Sequence, residues 1–254
     1  MSDFNRNAAT RGFAGGAAAV DAGLRAYMLR VYNYMTAAVA VTGVVALICF
    51  QAAGGDAITV SGHAITGLTP FGQVILGGYT PMILMLATLG LVMFISVRIN
   101  SLQYTTALGL FMLYAAVLGA ALTTIFVAYT GTSITRVFFI SAASFGALSL
   151  YGYTTQRSLS AMGSFMVMGL FGVILASLVN LFLASSALQF AISVIGVGVF
   201  AGLTAWDTQR IKEMYSSMDD AGTLGRKAVM GALSLYLDFI NLFLMLLRLV
   251  GDRR

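Results

Sequence analysis

Charged residues are scarce in this chain of 254 residues: they make up 9% of it, whereas 59% of the residues are hydrophobic. An average soluble domain has about a quarter of its residues charged. The composition therefore excludes an ordinary soluble protein and indicates a polytopic membrane protein built as one compact domain.

Cysteine, histidine and proline are nearly absent, with one, one and two copies. Cys49 has no partner for an intrachain disulfide, and the single His63 excludes a metal site built from a histidine cluster. Pro70 and Pro81 are the only prolines, so few helices are expected to be kinked by proline.

What the chain does contain is a series of long apolar runs, each long enough to cross a bilayer as a helix. Seven are recognised, at approximately 32–53, 79–97, 104–129, 133–154, 163–183, 188–206 and 228–250. The predicted fold is therefore an all-α membrane bundle of seven transmembrane helices. Residues 1–25 are predicted to be a flexible cytoplasmic tail, and 26–254 the transmembrane domain.

The distribution of Lys and Arg predicts the orientation, because cytoplasmic loops are enriched in these residues. Basic residues occur in the amino-terminal tail and after spans two, four and six, whereas 54–78 and 184–187 contain none. The amino terminus is therefore expected in the cytoplasm. Arg253 and Arg254 fit less well, and two alternatives stay open: seven full crossings, which we favour, or six crossings and a re-entrant last segment.

The net charge of +5 does not indicate nucleic-acid binding, because the basic residues are spread over short connections. The expected surroundings are the lipid bilayer.

Asp238 is the most informative residue, since it lies inside the apolar run 228–250. A carboxyl group near mid-membrane costs roughly 2.5–3.5 kcal/mol on insertion scales and commonly marks an ion or proton path. Ser234 and Asn241 lie on the same helical face and are candidate supporting residues. The alternative is a structural acid satisfied by donors from neighbouring helices.

Asp207 closes the preceding apolar run and is a candidate partner for Asp238. Two carboxyl groups in a site with little water repel each other when both are ionised and tend to share one proton. Their oxygens also suit a hard cation such as Ca²⁺. The pair is therefore predicted to be an ion and proton site, with both residues as candidate metal ligands.

The depths predicted for Asp207 and Asp238 in the membrane argue against this pairing. If Arg210 and Lys227 mark one membrane surface, the two acids differ in depth by roughly 10 Å at 1.5 Å per residue. Direct contact requires span six to lie deeper in the membrane or span seven to begin beyond the membrane surface.

Arg98, at the end of span two, is a candidate latch that could bind Asp207. The alternative is a solvated arginine that only sets topology.

Two motifs resemble the Bax inhibitor-1 family, also called the transmembrane Bax-inhibitor-motif family, in its bacterial form. They are A-L-S-L-Y-L-D-F-I-N-L-F-L-M-L-L-R at 232–248 and W-D-T-Q-R-I-K at 206–212. The order of the spans agrees as well. The resemblance implies a central last helix wrapped by the other six, a location in the cell (inner) membrane, and a pH-sensitive Ca²⁺ leak controlled by Asp207 and Asp238. The resemblance also implies an arginine of the second helix that binds the sixth-helix aspartate in the closed state, and Arg98 is the nearest match to it.

Three functions follow as hypotheses. The first is a pH-gated Ca²⁺ leak with no permanently bound cofactor. The second is a non-transporting regulator that binds a membrane protein, such as a protease, in a stress response. The third, an intramembrane aspartyl protease, lacks the G-x-G-D motif, so we expect no enzyme activity. A central helix buried by its own bundle predicts a monomer.

Overall fold

A computed structural model describes the backbone of residues 2–61 and 64–254, and the side chains of 21–60 and 65–254. The predicted flexible tail, 1–25, falls mostly on residues whose side chains lie outside this description and stays a prediction. His63 also lies outside the described residues.

The described chain is almost entirely helical, and seven of its helical segments are long and apolar enough to cross a membrane. The all-α, seven-helix membrane fold is thereby confirmed. The helices are α1 (Ser2–Ala53), α2 (Pro70–Leu76), α3 (Thr80–Arg98), α4 (Tyr104–Ala121), α5 (Thr123–Ala128), α6 (Gly131–Thr154), α7 (Ser160–Leu183), α8 (Ser186–Glu213) and α9 (Ala221–Val250). α4 and α5 together form the third crossing, and a small antiparallel hairpin, β1 (Thr59–Ser61) and β2 (Ala64–Thr66), follows α1.

The last two helices extend well beyond the apolar windows that predicted them. α8 continues to Glu213 rather than 206, and α9 begins at Ala221 rather than 228. Asp220 caps α9 by accepting hydrogen bonds from the backbone N–H groups of Gly222 and Thr223 and from the Thr223 hydroxyl. The hydroxyl contributes most to holding the pKa of Asp220 below its ordinary value. Polar helix ends satisfied in this way carry no hydropathy signal.

α9 is the central helix, as the resemblance implied. Its most apolar window is 67% buried, against 6–39% for the other spans. Its principal neighbours are α1, α4, α6 and α8, whereas α3 packs on α4 and α7 packs on α8. The expectation that all six other spans wrap α9 is therefore too simple: four surround it, and α3 and α7 form an outer layer.

The carboxyl terminus lies at the end of the bundle opposite Arg98 and Arg157. Thr130 N–H donates to the Asp252 carbonyl at 3.1 Å, and Arg254 forms a salt bridge of 2.9 Å with Asp56. α9 thus crosses the bundle from end to end, and the re-entrant alternative is wrong. The end of the bundle at which the chain passes from α8 to α9 is called the basic end. The opposite end is called the carboxyl-terminal end.

The basic residues at the carboxyl-terminal end are engaged by the protein itself. Arg136 pairs with Asp252 at 2.8 Å, and Arg253 lies over the ring of Tyr129 at 6.0 Å. Together with the Arg254 salt bridge, these contacts explain why arginines occur on the side predicted to contain few of them.

Close backbone approach between helices depends on glycine at specific points. A Cβ atom at Gly152 of α6 would lie 2.1 Å from the carbonyl oxygen of Ala205 in α8. A Cβ atom at Gly119 of α4 would lie 2.6 Å from the carbonyl oxygen of Thr42 in α1. Small residues allow such contacts between helices in lipid, where packing rather than the hydrophobic effect drives association.

We predict that Gly152→Ala destabilises the protein, because its methyl group must push α6 away from the α8 backbone. Overpacking of this kind costs about 1–3 kcal/mol. Gly146→Ala is the matched control on the same helix, since nothing lies within 4 Å of a Cβ atom there. Thermal unfolding in detergent should show a lower midpoint for the first variant only; equal midpoints would contradict the close α6–α8 approach.

Candidate functional site

Asp207 and Asp238 are brought to similar depth by the antiparallel packing of α8 and α9. Ile211 of α8 lies against Gly231 of α9, where a Cβ atom would lie 3.0 Å from the Ile211 side chain, so these two residues are level with each other. From that level, Asp207 lies about 6 Å further into the bundle and Asp238 about 10 Å further at 1.5 Å per residue. The difference is about one helical turn, less than expected because α8 runs beyond Arg210.

Side-chain direction closes the remaining gap. In an α-helix each Cα–Cβ bond leans toward the amino terminus of its own helix. Because α8 and α9 are antiparallel, Asp207 leans deeper into the bundle while Asp238 leans back toward the basic end. Their carboxyl groups are consequently neighbours, within reach of a hydrogen bond between the two side chains. Such a bond requires one of the two acids to carry a proton.

Aromatic residues on either side of Asp238 fix the rotation of α9. Tyr236 packs edge-on against Phe111 and Tyr114 of α4, with ring centroids 5.5 and 5.8 Å apart. On the other side, Phe239 packs edge-on against α6, with ring centroids 5.6 Å from Phe145. With these faces occupied, Asp238 is directed toward α8.

The environment of Asp238 is almost free of hydrogen-bond donors. Its side chain is only 5% exposed, and its Oδ2 atom has no hydrogen-bond partner among the described residues. A buried polar atom without a partner costs free energy, so it needs an explanation. A proton shared with Asp207, or a bound cation, would satisfy it.

Asp207 lies nearer the basic end and is half-buried. The charge of Arg210, one turn further along α8, acts on its carboxyl group. Arg210 itself is exposed and lies over the ring of Trp206 at 5.4 Å. The two acids therefore differ in their surroundings. Asp207 lies close to solvent and to the charge of Arg210, whereas Asp238 is buried inside the bundle.

The structure does not bring Arg98 to the pair. Arg98 is exposed and forms no salt bridge with a described acid. It ends α3, whose principal neighbours are α4 and α2 rather than α8. A latch to Asp207 would need α3 to move, and it stays a prediction.

Ser234 and Asn241 share the Asp238 face of α9 but do not donate to its carboxyl group. Asn241 Nδ2 donates to the Leu237 carbonyl of its own helix at 2.8 Å. Ser234 is half-buried and makes no side-chain hydrogen bond among the described residues. Their supporting role also stays a prediction.

A row of hydroxyl groups beside the pair was not predicted. Tyr32 of α1 bonds Ser149 of α6 at 2.5 Å, and Ser149 bonds Thr208 of α8 at 2.9 Å. On the other side of α9, Thr42 bonds Tyr236 at 2.6 Å. Hydroxyls inside apolar runs are the signal that could have pointed to these contacts.

The chemistry available to the pair is proton exchange and weak cation binding. Among the described residues, no group of three or more His, Cys, Asp or Glu side chains could hold a metal ion. Ca²⁺ takes six to eight oxygen ligands, so two carboxylates could bind it only with water or carbonyl oxygens.

We predict that Asp207→Cys with Asp238→Cys, in a Cys49→Ser background, is bridged by a short bifunctional thiol reagent. The neighbouring carboxyl positions put both thiols within its span. Intact mass spectrometry should find one bridge and no free thiol per protein. The control pair Arg98→Cys with Asp207→Cys should give two single adducts; the reverse result would contradict the described pairing.

Comparison with known proteins identifies the family. The family model described as inhibitor of apoptosis-promoting Bax1 matches residues 24–254. The chain is 48% identical over 239 residues to a Rickettsia prowazekii protein, covering 92% of each chain. It is 46% identical over 235 residues to the inner membrane protein YbhL of Escherichia coli, covering 92% of this chain and 94% of YbhL. A Caulobacter vibrioides protein is 41% identical over 258 residues, covering all of both chains.

The matched region takes in all seven spans except the first three residues of span one, and it includes both aspartates and the motifs around them. The chain therefore belongs to the Bax inhibitor-1 family of membrane proteins, as its two terminal motifs predicted.

Proposed function

We propose that this protein is a pH-sensitive Ca²⁺ leak pathway of the bacterial inner membrane, gated by Asp207 and Asp238. The observation that carries the proposal is a carboxyl group, 5% exposed and without a donor, that faces a second carboxyl group inside a membrane bundle. A purely structural acid would be expected to have hydrogen-bond donors from its neighbours.

Protons and cations compete for such a pair. With one proton shared, the two carboxyl groups bind each other and hold α8 against α9. Without it, two negative charges a few ångströms apart repel each other, and a divalent cation relieves that repulsion. Proton occupancy therefore biases the equilibrium between two arrangements of the last two helices.

Few other charges bear on this equilibrium. Arg210 is the basic residue whose charge acts on Asp207, and Asp207 is the charged neighbour of Asp238. The adjoining faces of α6 and α1 contribute the uncharged hydroxyls of Ser149 and Tyr32. Titration of the pair is thus expected to dominate the pH dependence.

The described conformation is closed on the side of Asp238 that faces the carboxyl-terminal end. The buried face of α9 beyond Asp238 consists of apolar side chains, including Leu242 and Met245, at 1% and 7% exposure. Met245 packs against α8 where Gly196 leaves room: a Cβ atom there would lie 2.9 Å from its sulfur. A hydrated cation cannot pass this section without a rearrangement.

The inner-membrane location rests on the seven apolar spans and on the relative YbhL, which is named as an inner membrane protein. The cytoplasmic assignment of the amino terminus and the basic end rests on the positive-inside rule. Asp207 would then face the cytoplasm, so the pair would sense cytoplasmic pH.

We predict that Asp207→Asn with Asp238→Asn abolishes the pH dependence of Ca²⁺ flux, because neither amide can exchange a proton or bind the cation as a carboxylate. Purified protein in liposomes containing a Ca²⁺ dye would be assayed over a range of pH. Flux at the pH of highest wild-type activity should fall at least about tenfold, as expected when a site loses more than ~1.4 kcal/mol of cation binding.

Asp21→Asn is the control, since it removes one exposed carboxylate at the amino-terminal end of the first span. It should retain wild-type flux and pH dependence. Equal flux from wild type and the double variant would reject the gating pair. No flux from wild type, with a stoichiometric partner crosslinked in intact membranes, would favour the non-transporting regulator.

We further predict that Met245→Ala raises Ca²⁺ flux several-fold, because it shortens the side chain that seals α9 against α8 near Gly196. The matched control is Val250→Ala, on the same helix but 50% exposed. Both variants would be compared in the same liposome assay, with melting temperatures recorded. Unchanged flux from a folded Met245→Ala protein would show that the barrier lies elsewhere.

A further inference from the structure

A deep groove opens sideways between α1 and α6. Both helices pack on α9, but they are not principal neighbours of each other, and the space between them has a volume of about 820 Å³. α9 contributes Phe239 to its lining. The groove is therefore a recess in the side of the bundle that faces the membrane.

The groove runs from the basic end toward the middle of the bundle. Arg25 lines one end and Val39 the other, both on α1. At 1.5 Å per residue the length is about 21 Å. The hydrocarbon of one leaflet is about 15 Å thick, half of a bilayer core of about 30 Å. The groove thus extends through one leaflet of lipid tails.

The lining changes character along its length. Around the middle and the inner end it is mainly apolar, with Met35, Phe138 and Phe145 among its residues and a few hydroxyl groups, those of Tyr32, Thr36 and Ser149, beside them. At the basic end it carries the guanidinium of Arg25, which forms no salt bridge with a described acid. An apolar trough ending in a cation at the interface matches an amphipathic ligand with an anionic head and a hydrocarbon tail.

The length of the groove and the cation at its interfacial end favour a lipid as the occupant. A lipid tail is confined to one leaflet, as the groove is, and an anionic headgroup at the membrane surface would reach Arg25.

We propose that this groove is a specific lipid site, which holds one acyl chain of an anionic phospholipid from the cytoplasmic leaflet with its phosphate at Arg25. The bound chain fills the space between α1 and α6 and covers Phe239, next to Asp238.

Gly146 offers a direct way to close the groove. It lines the space, and nothing lies within 4 Å of a Cβ atom there. Gly146→Leu should therefore occupy the position of the acyl chain without disturbing neighbouring residues. Gly172→Leu is the matched control: Gly172 is an exposed glycine of α7 with equally open surroundings, outside the groove.

The test is native mass spectrometry of the detergent-purified full chain, incubated with phosphatidylglycerol or with phosphatidylcholine. The wild type and Gly172→Leu should each retain one phosphatidylglycerol molecule, and Gly146→Leu should retain at least about tenfold less, a loss of ~1.4 kcal/mol. Arg25→Gln should lower the preference for phosphatidylglycerol over phosphatidylcholine about fivefold, the factor expected for one basic residue at a membrane surface.

Equal retention by Gly146→Leu and Gly172→Leu, or none by the wild type, would overturn the site, since the lipid would then be bound loosely over the whole surface. An unchanged lipid preference in Arg25→Gln would overturn the placement of the phosphate. Melting temperatures establish that the variants are folded, and Ala142→Leu, which narrows the same groove, replaces Gly146→Leu if the latter does not fold. None of these outcomes depends on Ca²⁺ flux.

Discussion

A carboxyl group inside a membrane helix must find a polar partner within the protein, and α9 meets this constraint through one contact with α8. Asp238 is buried without a donor, and the neighbouring carboxyl of Asp207 is its available partner. The constraint explains why the most polar of the buried positions lies on the most central helix. Exposure of Asp238 to lipid tails would cost several kilocalories per mole.

The architecture can be understood as support for that contact. The edge-on aromatic contacts of Tyr236 and Phe239 fix the rotation of α9, and the close contact of Gly231 with Ile211 sets its height relative to α8. At the far end, the salt bridge of Arg254 with Asp56 anchors the terminus of α9 to the first loop. Contacts on both sides of the aspartate pair therefore hold α9 in place.

The proposed Ca²⁺ site would be weak, as a leak rather than storage of the ion requires. Two carboxylates give fewer ligands than Ca²⁺ prefers, so an ion bound there would exchange readily. The lateral groove adds a second influence, because a lipid chain held between α1 and α6 would pack over Phe239, the residue next to Asp238. Ion occupancy and lipid occupancy would then act on neighbouring positions of the same central helix.

Much of this protein follows from its sequence. Long apolar runs require helices in a bilayer, since each backbone polar group must be satisfied within its own segment. The same reasoning marked Asp207 and Asp238, because ionisable residues in such runs are rare. Span boundaries were less accurate at the ends of α8 and α9, where polar residues such as Asp220 continue the helix without a hydropathy signal.

The meeting of the two acids is a result of helix packing. Their contact depends on the relative height of α8 and α9, the rotation of α9 and the opposite lean of side chains on antiparallel helices, and none of these is encoded in the spacing of residues along the chain. The separation of Arg98 from the pair in this conformation, and the groove between α1 and α6, likewise depend on which helices are neighbours. Hydropathy along the chain is enough to predict seven membrane helices and to mark the residues that are costly to bury in them. How those residues are satisfied depends on the packing of the helices.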